Sequence, residues 1–224
     1  MNWCLVQSDD RDKEELGVQS KLMEKNRATC EQDPNCSNVE IPLQNVPPYW
    51  RKVHATRSCL DNPGCDACLY VDSDAVLNHH HWQGATDVET LLGQGDFGFT
   101  PDWARDRMNA GVFAVRNSST GKAIMDAWLS EQSNAWSTDS EGEWSCSVNG
   151  KKCPWAGSEF EQGAFITKVQ PQFKDVLHES SPFLWNNDIL NCTGHVKHFM
   201  GNYGNMFAKD GKQKAIQRYL DSCS

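Results

Sequence analysis

The stretch from Cys68 to Leu77, CLYVDSDAVL, constrains the fold of this chain more than any other. An apolar run, Leu69-Tyr70-Val71, leads into two aspartates one residue apart, Asp72 and Asp74, and apolar residues resume at Ala75-Val76-Leu77. Such a run reads as a buried strand that ends in an acidic corner. Successive strand side chains alternate between faces, so Asp72 and Asp74 point the same way if extended geometry persists through Ser73. Two carboxylates on one side of a strand end suit a hard divalent cation, which takes oxygen ligands and leaves positions open for substrate phosphates. Taken alone, a D-x-D is more often a turn or helix-capping pair than a metal site, so its surroundings have to decide.

The chain has 224 residues, enough for one well-cored domain. With 38% hydrophobic and 23% charged residues, its composition is that of a folded soluble protein. A net charge of −9 argues against nucleic acid or an anionic membrane as the main partner. An acidic chain still holds an anionic substrate where a metal ion or local basic groups reverse the field. No apolar run is long enough to span a bilayer, and the segment at residues 1–6 is too short for the apolar core of a signal peptide. Any membrane attachment is therefore expected from a segment absent from this chain. Ten cysteines and the sequons at Asn35, Asn117 and Asn191 point to an oxidising secretory lumen such as the Golgi, with a cytoplasmic location as the alternative if the cysteines are reduced. Cys65-Asp66-Ala67-Cys68 reads as structural, because zinc would need a second close Cys or His pair.

In chain order, the patterning predicts a strand at residues 3–7, a helix over 14–32, a marginal strand over 38–43 weakened by Pro42, and a helix opened by Pro47-Pro48 that stops at Asn62-Pro63-Gly64. The D-x-D strand follows directly. This alternation implies right-handed crossovers and an α/β fold with a largely parallel sheet covered by helices. The active sites of such sheets lie at the carboxyl ends of the strands, the edge that Asp72 and Asp74 occupy.

His79-His80-His81 reads as a solvated loop, since three adjacent histidines cannot all face one ion on regular backbone. A short helix over 86–93 and strands over 96–100 and 108–116 follow, the last entered through Asn109-Ala110-Gly111, where glycine permits close approach of a ligand. Asn117 to Thr120 caps a helix. Residues 131–158 are the least regular part and hold Trp136, Trp144 and Trp155, which either stack on sugar rings or anchor the loop to the core. Cys146 and Cys153 enclose an Asn-Gly turn and can form a local disulfide. A helix over 159–169 carries Glu161 and Gln162 in its first turn, where the dipole favours a carboxylate anion. A short strand and a turn over His195–Gly201 and an amphipathic helix over 212–220 complete the chain.

Five blocks, Tyr49-Trp50-Arg51-Lys52, VDSDAVL, MNAGVFAVRNS, EFEQGAFI and HFMGNYG, stand in the order and at the spacings of the GT-A nucleotide-sugar transferases. They most resemble the retaining galactosyl/xylosyltransferase family of plants and fungi. The resemblance implies a single Rossmann-like GT-A domain, with a nucleotide-binding half over about residues 1–77 and a donor-sugar and acceptor half over 78–224. It implies that Asp72, Asp74 and His198 hold Mn²⁺ or Mg²⁺ against the diphosphate of a nucleotide sugar, a UDP sugar by analogy. Lys52, Ser73, Asn109, Ala110, Gly111 and Gly201 fall on donor-binding positions, and Glu161 and Gln162 on the family's catalytic Asp-Gln pair. The acceptor would be a glycan or glycoprotein.

Two departures stand out. The family has Asp where this chain has Glu161, and a lysine after the HF-x-G block where this chain has Asn202 and Tyr203, which leaves diphosphate neutralisation to Lys52, Lys209, Lys212 or the metal. Two alternatives are a non-catalytic sugar-binding relative and an aspartyl-phosphate phosphohydrolase using Asp96 and Asp102 as its later acidic motif.

Overall fold

The computed structural model describes residues 1–9, 11, 13–42, 45–102, 107–186, 192–200 and 211–223. Strand β1 (Trp3–Val6) is buried at every position. A short helix α1 (Lys13–Leu16) is cut from α2 (Val18–Glu31) by Gly17, whose φ of 55° is open to glycine at little cost, so the single helix expected over 14–32 is two. β2 (Cys36–Val39) starts two residues before the expected strand and ends before Pro42, which has no N–H to give a ladder. A 3₁₀ turn (Pro48–Trp50) opens α3 (Arg51–Cys59), and β3 (Ala67–Val71) leads through the acidic corner into β4 (Ala75–Leu77). There follow α4 (Ala85–Leu92), β5 (Phe97–Pro101), β6 (Met108–Arg116) and α5 (Ser119–Ser130), whose N-cap Ser118 accepts the N–H of Gly121.

The irregular region contains a small sheet of β7 (Trp136–Thr138), β8 (Trp144–Val148) and β9 (Lys151–Lys152). α6 (Glu161–Ala164) runs on through a π-helical turn (Phe165–Val169) into α7 (Gln170–Phe173). β10 (Leu177–Glu179), α8 (Pro182–Trp185), β11 (Val196–His198) and α9 (Gly211–Ser222) close the order.

The main sheet runs β10-β5-β6-β3-β1-β2. β1 pairs in parallel with β2 and β3, and β10 with β5, whereas β6 pairs antiparallel with both β3 and β5. β6 is thus the one reversed strand of this sheet, and its amino end meets the carboxyl ends of β3 and β5 at a single edge.

Period-2 alternation divides the core between the two faces. Cys4, Val6, Cys68, Tyr70 and Phe113 join Trp50, Trp128 and Phe165 on one side. Trp3, Leu5, Leu69, Val71, Val112 and Ala114 join α4 and Trp185 on the other. A third cluster packs Leu22 of α2, Val76 of β4 and Ile216 and Tyr219 of α9 around Phe199. Five disulfides pair all ten cysteines: Cys4–Cys65, Cys30–Cys36, Cys59–Cys68, Cys146–Cys153 and Cys192–Cys223. Cys65 and Cys68 go to different partners, which makes them structural. Cys4–Cys65, separated by 61 residues, removes on the order of 4 kcal/mol of loop entropy from the unfolded chain.

Candidate active site

Strand register brings the acidic corner its neighbours. Val71 lies opposite Val112 in the β3–β6 ladder, so the next residues out, Asp72 and Gly111, are adjacent, and the Asp72 N–H donates to the Gly111 carbonyl at 2.8 Å. In the β4–β11 ladder Ala75 lies opposite His198, and the Phe199 N–H donates to the Asp74 carbonyl at 2.9 Å. Side-chain oxygens of Asp72 and Asp74 and a ring nitrogen of His198 thereby lie within 4.8 Å of one another. The extended backbone expected through Ser73 does not persist. The corner is a turn, closed by the Ala75 N–H on the Asp72 carbonyl at 3.0 Å, and tertiary pairing rather than strand alternation brings the two carboxylates together.

His198 is oriented from behind. Its Nδ1 meets the Asn186 side-chain oxygen at 2.7 Å, and since an amide oxygen only accepts, Nδ1 carries the proton. Nε2 then faces Asp74 Oδ1 at 3.1 Å and Asp72 Oδ2 at 3.9 Å. A lone pair against two carboxylates is repulsive, and only a proton or a cation at Nε2 reconciles the three groups. Gly111 keeps the space in front of them clear: a Cβ there would lie 2.1 Å from His198 Cε1, 2.8 Å from its Nε2 and 2.9 Å from Asp72 Oδ2. Two hard oxygens, an imidazole nitrogen held by a hydrogen bond on its other side, and a cradle that only glycine leaves open fit a divalent cation.

Lys52 ties the corner to the catalytic candidates. Lys52 is buried, 8% exposed, and its ammonium lies 2.9 Å from Asp72 Oδ1, 3.2 Å from the Ala110 carbonyl and 3.5 Å from Glu161 Oε1, above the ring of Tyr70. Burial pushes that ammonium down, but Asp72 and Glu161 outweigh it and hold Lys52 above the ordinary lysine range. The Tyr70 hydroxyl donates to Asp72 Oδ1 at 2.9 Å. Asp74 is desolvated, yet His198 and Lys212, the latter in direct contact with its Oδ2, hold its carboxyl well below the usual range.

Glu161 does open α6, with Phe160 as N-cap, but the expected stabilisation of its anion is overturned. Burial to 4% exposure pushes its carboxyl above the ordinary glutamate range, against the pull of Lys52. The backbone beneath it is pinned by indoles: Trp128 Nε1 donates to the Glu161 carbonyl at 2.7 Å, and Trp50 and Trp136 donate to the Glu159 carbonyl at 3.1 and 2.8 Å. Gln162 accepts the Ala110 N–H through Oε1 at 3.1 Å.

These groups line a cleft of about 640 Å³ together with Ser73, Asn109, Gly111, Met200, Lys212, Tyr49 and Trp155. Arg11 also lines the cleft, where its guanidinium brackets Asp9 and reaches Gln19 Oε1 at 3.2 Å and Ser73 Oγ at 3.1 Å. Asn109 donates to Met200 Sδ at 2.8 Å and accepts the Gly111 N–H at 2.8 Å. Ala110 is buried and takes part through its backbone. Gly201 and Lys209 lie outside the described residues. His79 to His81 are exposed. Asp102 lines the cleft, but Asp96 sits at the far end of β5, accepting from Ser118 Oγ at 2.6 Å, so the pair a phosphohydrolase would need is split. Sequence reasoning missed Asn186, Tyr70, Arg11 and Met200. Of these, only Met200, inside the HFMG block, stood in a motif, and Tyr70 was read simply as part of the strand.

By sequence the chain matches no family model and no curated protein. By structure it is similar to a glycosyltransferase involved in glycosylation of the major capsid of PBCV-1, with a TM-score of 0.66, 13% identity, and 97% of this chain and 99% of that one covered. It is also similar to the apo form of the glycosyltransferase GlyE of Streptococcus pneumoniae TIGR4, with a TM-score of 0.54 and 15% identity, covering 98% of this chain and 60% of that one. Mixed sheet, helical layers and these neighbours together identify the architecture: the chain has the GT-A fold of the glycosyltransferases.

Proposed function

We propose that this chain is a metal-dependent glycosyltransferase that moves a hexose or pentose from a nucleotide sugar, a UDP sugar by our reading, to a hydroxyl of a glycan or glycoprotein. The observation that carries the proposal is the convergence of Asp72, Asp74 and His198 Nε2 in front of Gly111, at the carboxyl edge of the sheet. Those three residues would hold Mn²⁺ or Mg²⁺, both oxygen-seeking ions, of which Mn²⁺ takes an imidazole ligand beside its carboxylates the more readily. The ion, when bound, supplies Lewis-acid stabilisation of the charge that develops on the diphosphate as the bond from anomeric carbon to phosphate oxygen breaks.

The remaining work falls to the chain itself. Lys212, more open than Lys52, would place an ammonium beside the leaving group, in the role that the missing lysine after HF-x-G plays in the resembling family. Lys52, with its charge committed to Asp72, Glu161 and a carbonyl, would hold those carboxylates at fixed separation. Asn109, Gly111 and Gln162 would shape the wall for the donor sugar. The acceptor oxygen forms the new bond to the anomeric carbon and loses its proton. Glu161 would stabilise positive charge at that carbon in a retaining reaction, the proton then passing to the departing diphosphate oxygen, or take that proton itself in an inverting one.

The pairing of all ten cysteines supports a secretory-lumen location. Among the described residues no helix is long and apolar enough to cross a membrane. Calorimetric titration of UDP and GDP with Mn²⁺ present, or chelated away, tests the reading. Saturable UDP binding that needs the metal is the expected result, and nucleotide binding indifferent to metal would overturn it.

A further inference from the structure

We propose that Trp155 is a stacking platform for the acceptor sugar, with the disulfide-stapled hairpin before it serving to hold that platform still. The inference rests on the transferase reading and adds to it the group that selects the acceptor. Trp155 is 73% exposed, the most open large hydrophobic side chain among the described residues, and it lines the same cleft as Glu161 and Gln162. The other tryptophans near the cleft behave as anchors, with Trp50, Trp128 and Trp136 spending their indole N–H groups on the backbone of residues 159–161.

An accidental surface indole would sit on a loosely held loop. This one does not. Cys146–Cys153 closes the β8–β9 hairpin just before it, across an Asn149-Gly150 turn in which both residues have positive φ, 52° and 74°. Ala156, the next residue, is held at φ 55°, a conformation that costs a non-glycine residue free energy and persists only where the surroundings enforce it. The enforcement is visible on α6: a Cβ on Gly163 would lie 2.0 Å from the Gly157 carbonyl oxygen and 2.5 Å from that of Ala156, so the loop backbone is seated directly on the helix that carries Glu161. The Trp155 ring meets Tyr49 at 5.0 Å and Phe160 at 5.2 Å between centroids, and Phe160 is the residue before Glu161.

A large, rigid indole face left wet at the lip of a cleft gains most from a ligand that is apolar on one side and polar at its rim. A pyranose with an unbroken axial C–H face has that character, and β-linked galactosides and glucosides present one. The acceptor class that follows is a glycan ending in such a residue.

A glycan array of β-galactosides, β-glucosides and α-mannosides, probed with UDP and Mn²⁺ present, tests the proposal on wild type, Trp155→Ala and Trp155→Phe. Burial of one sugar face on the indole predicts a loss of about tenfold or more in affinity for Trp155→Ala, with Trp155→Phe staying within about threefold of wild type. Equal glycan binding by wild type and Trp155→Ala, preference for the α-mannosides, or no glycan bound by wild type would each overturn it. UDP affinity of the wild type with Mn²⁺, measured separately, distinguishes this failure from that of the transferase reading.

Discussion

Replacing Gly111 by alanine adds one methyl group and should dismantle the cation site while sparing the sheet. The new Cβ would stand 2.1 Å from His198 Cε1, 2.8 Å from Nε2 and 2.9 Å from Asp72 Oδ2. Ordinary carbon contacts are about 3.5 to 4 Å, so the imidazole must retreat by more than about 1 Å. It is held on both sides, by Asn186 at 2.7 Å and by the β11–β4 ladder, so retreat means breaking the Nδ1 hydrogen bond inside a buried site. That loss is worth about 1–3 kcal/mol, and in a domain of this size it lowers Tm by roughly 3–10 °C. A displacement of this order at a ligand is also enough to weaken Mn²⁺ binding roughly 10²-fold. Calorimetric titration of Mn²⁺ with UDP, beside a thermal melt, reads both numbers. Gly111→Ala with wild-type metal affinity would refute the placement of the cation between Asp72, Asp74 and His198, whatever its effect on Tm.

Other expectations follow from the same geometry. Asp74→Asn keeps side-chain volume and removes charge, so metal-dependent donor binding should disappear with the fold intact, as circular dichroism and UDP titration can establish. Asn186→Ala should weaken Mn²⁺ binding about tenfold by freeing the His198 ring to rotate; unchanged affinity would mean that β11 alone fixes the imidazole. Glu161→Gln should lower turnover by roughly 10² with little change in donor affinity, because a charge at the anomeric carbon exists mainly in the transition state. Glu161 also sets a pH dependence. Its folded pKa lies above the ordinary 4.5, so the native state holds a proton that the unfolded state releases, and this contribution to stability is lost as pH rises from that ordinary value through the raised one. Denaturant melts across that window should show wild type losing stability relative to Glu161→Gln, and parallel curves would exclude the buried, desolvated carboxyl.

How much of this was legible in the sequence differs from part to part. The strands at Trp3–Val6, Ala67–Val71 and Met108–Arg116 were readable because apolar runs bounded by turn residues have few other uses. The blocks around Asp72, Gly111, Glu161 and His198 were readable through their order. Register was not. Nothing in the local pattern says that β6 runs opposite to its neighbours, or that β11 pairs with β4, yet these two facts carry Gly111 and His198 to the corner. Asn186 was invisible for the same reason, since a lone asparagine acquires its role from a histidine twelve residues on only once α8 and β11 pack together. Glu161 shows a local rule losing to its surroundings: position in a first helical turn favours the anion, but desolvation by burial outweighs a few peptide dipoles and the pull of Lys52 together.

Release of UDP from a panel of UDP sugars by the purified chain, followed with Mn²⁺ present and again after chelation, tests the account at its centre. It predicts slow hydrolysis of at least one UDP sugar that needs the metal, increases when the right glycan is added, and vanishes in Asp74→Asn. UDP bound in a metal-dependent way but never released from any sugar would make the chain a sugar-binding relative of the fold, and release indifferent to metal would contradict the role given to Asp72, Asp74 and His198.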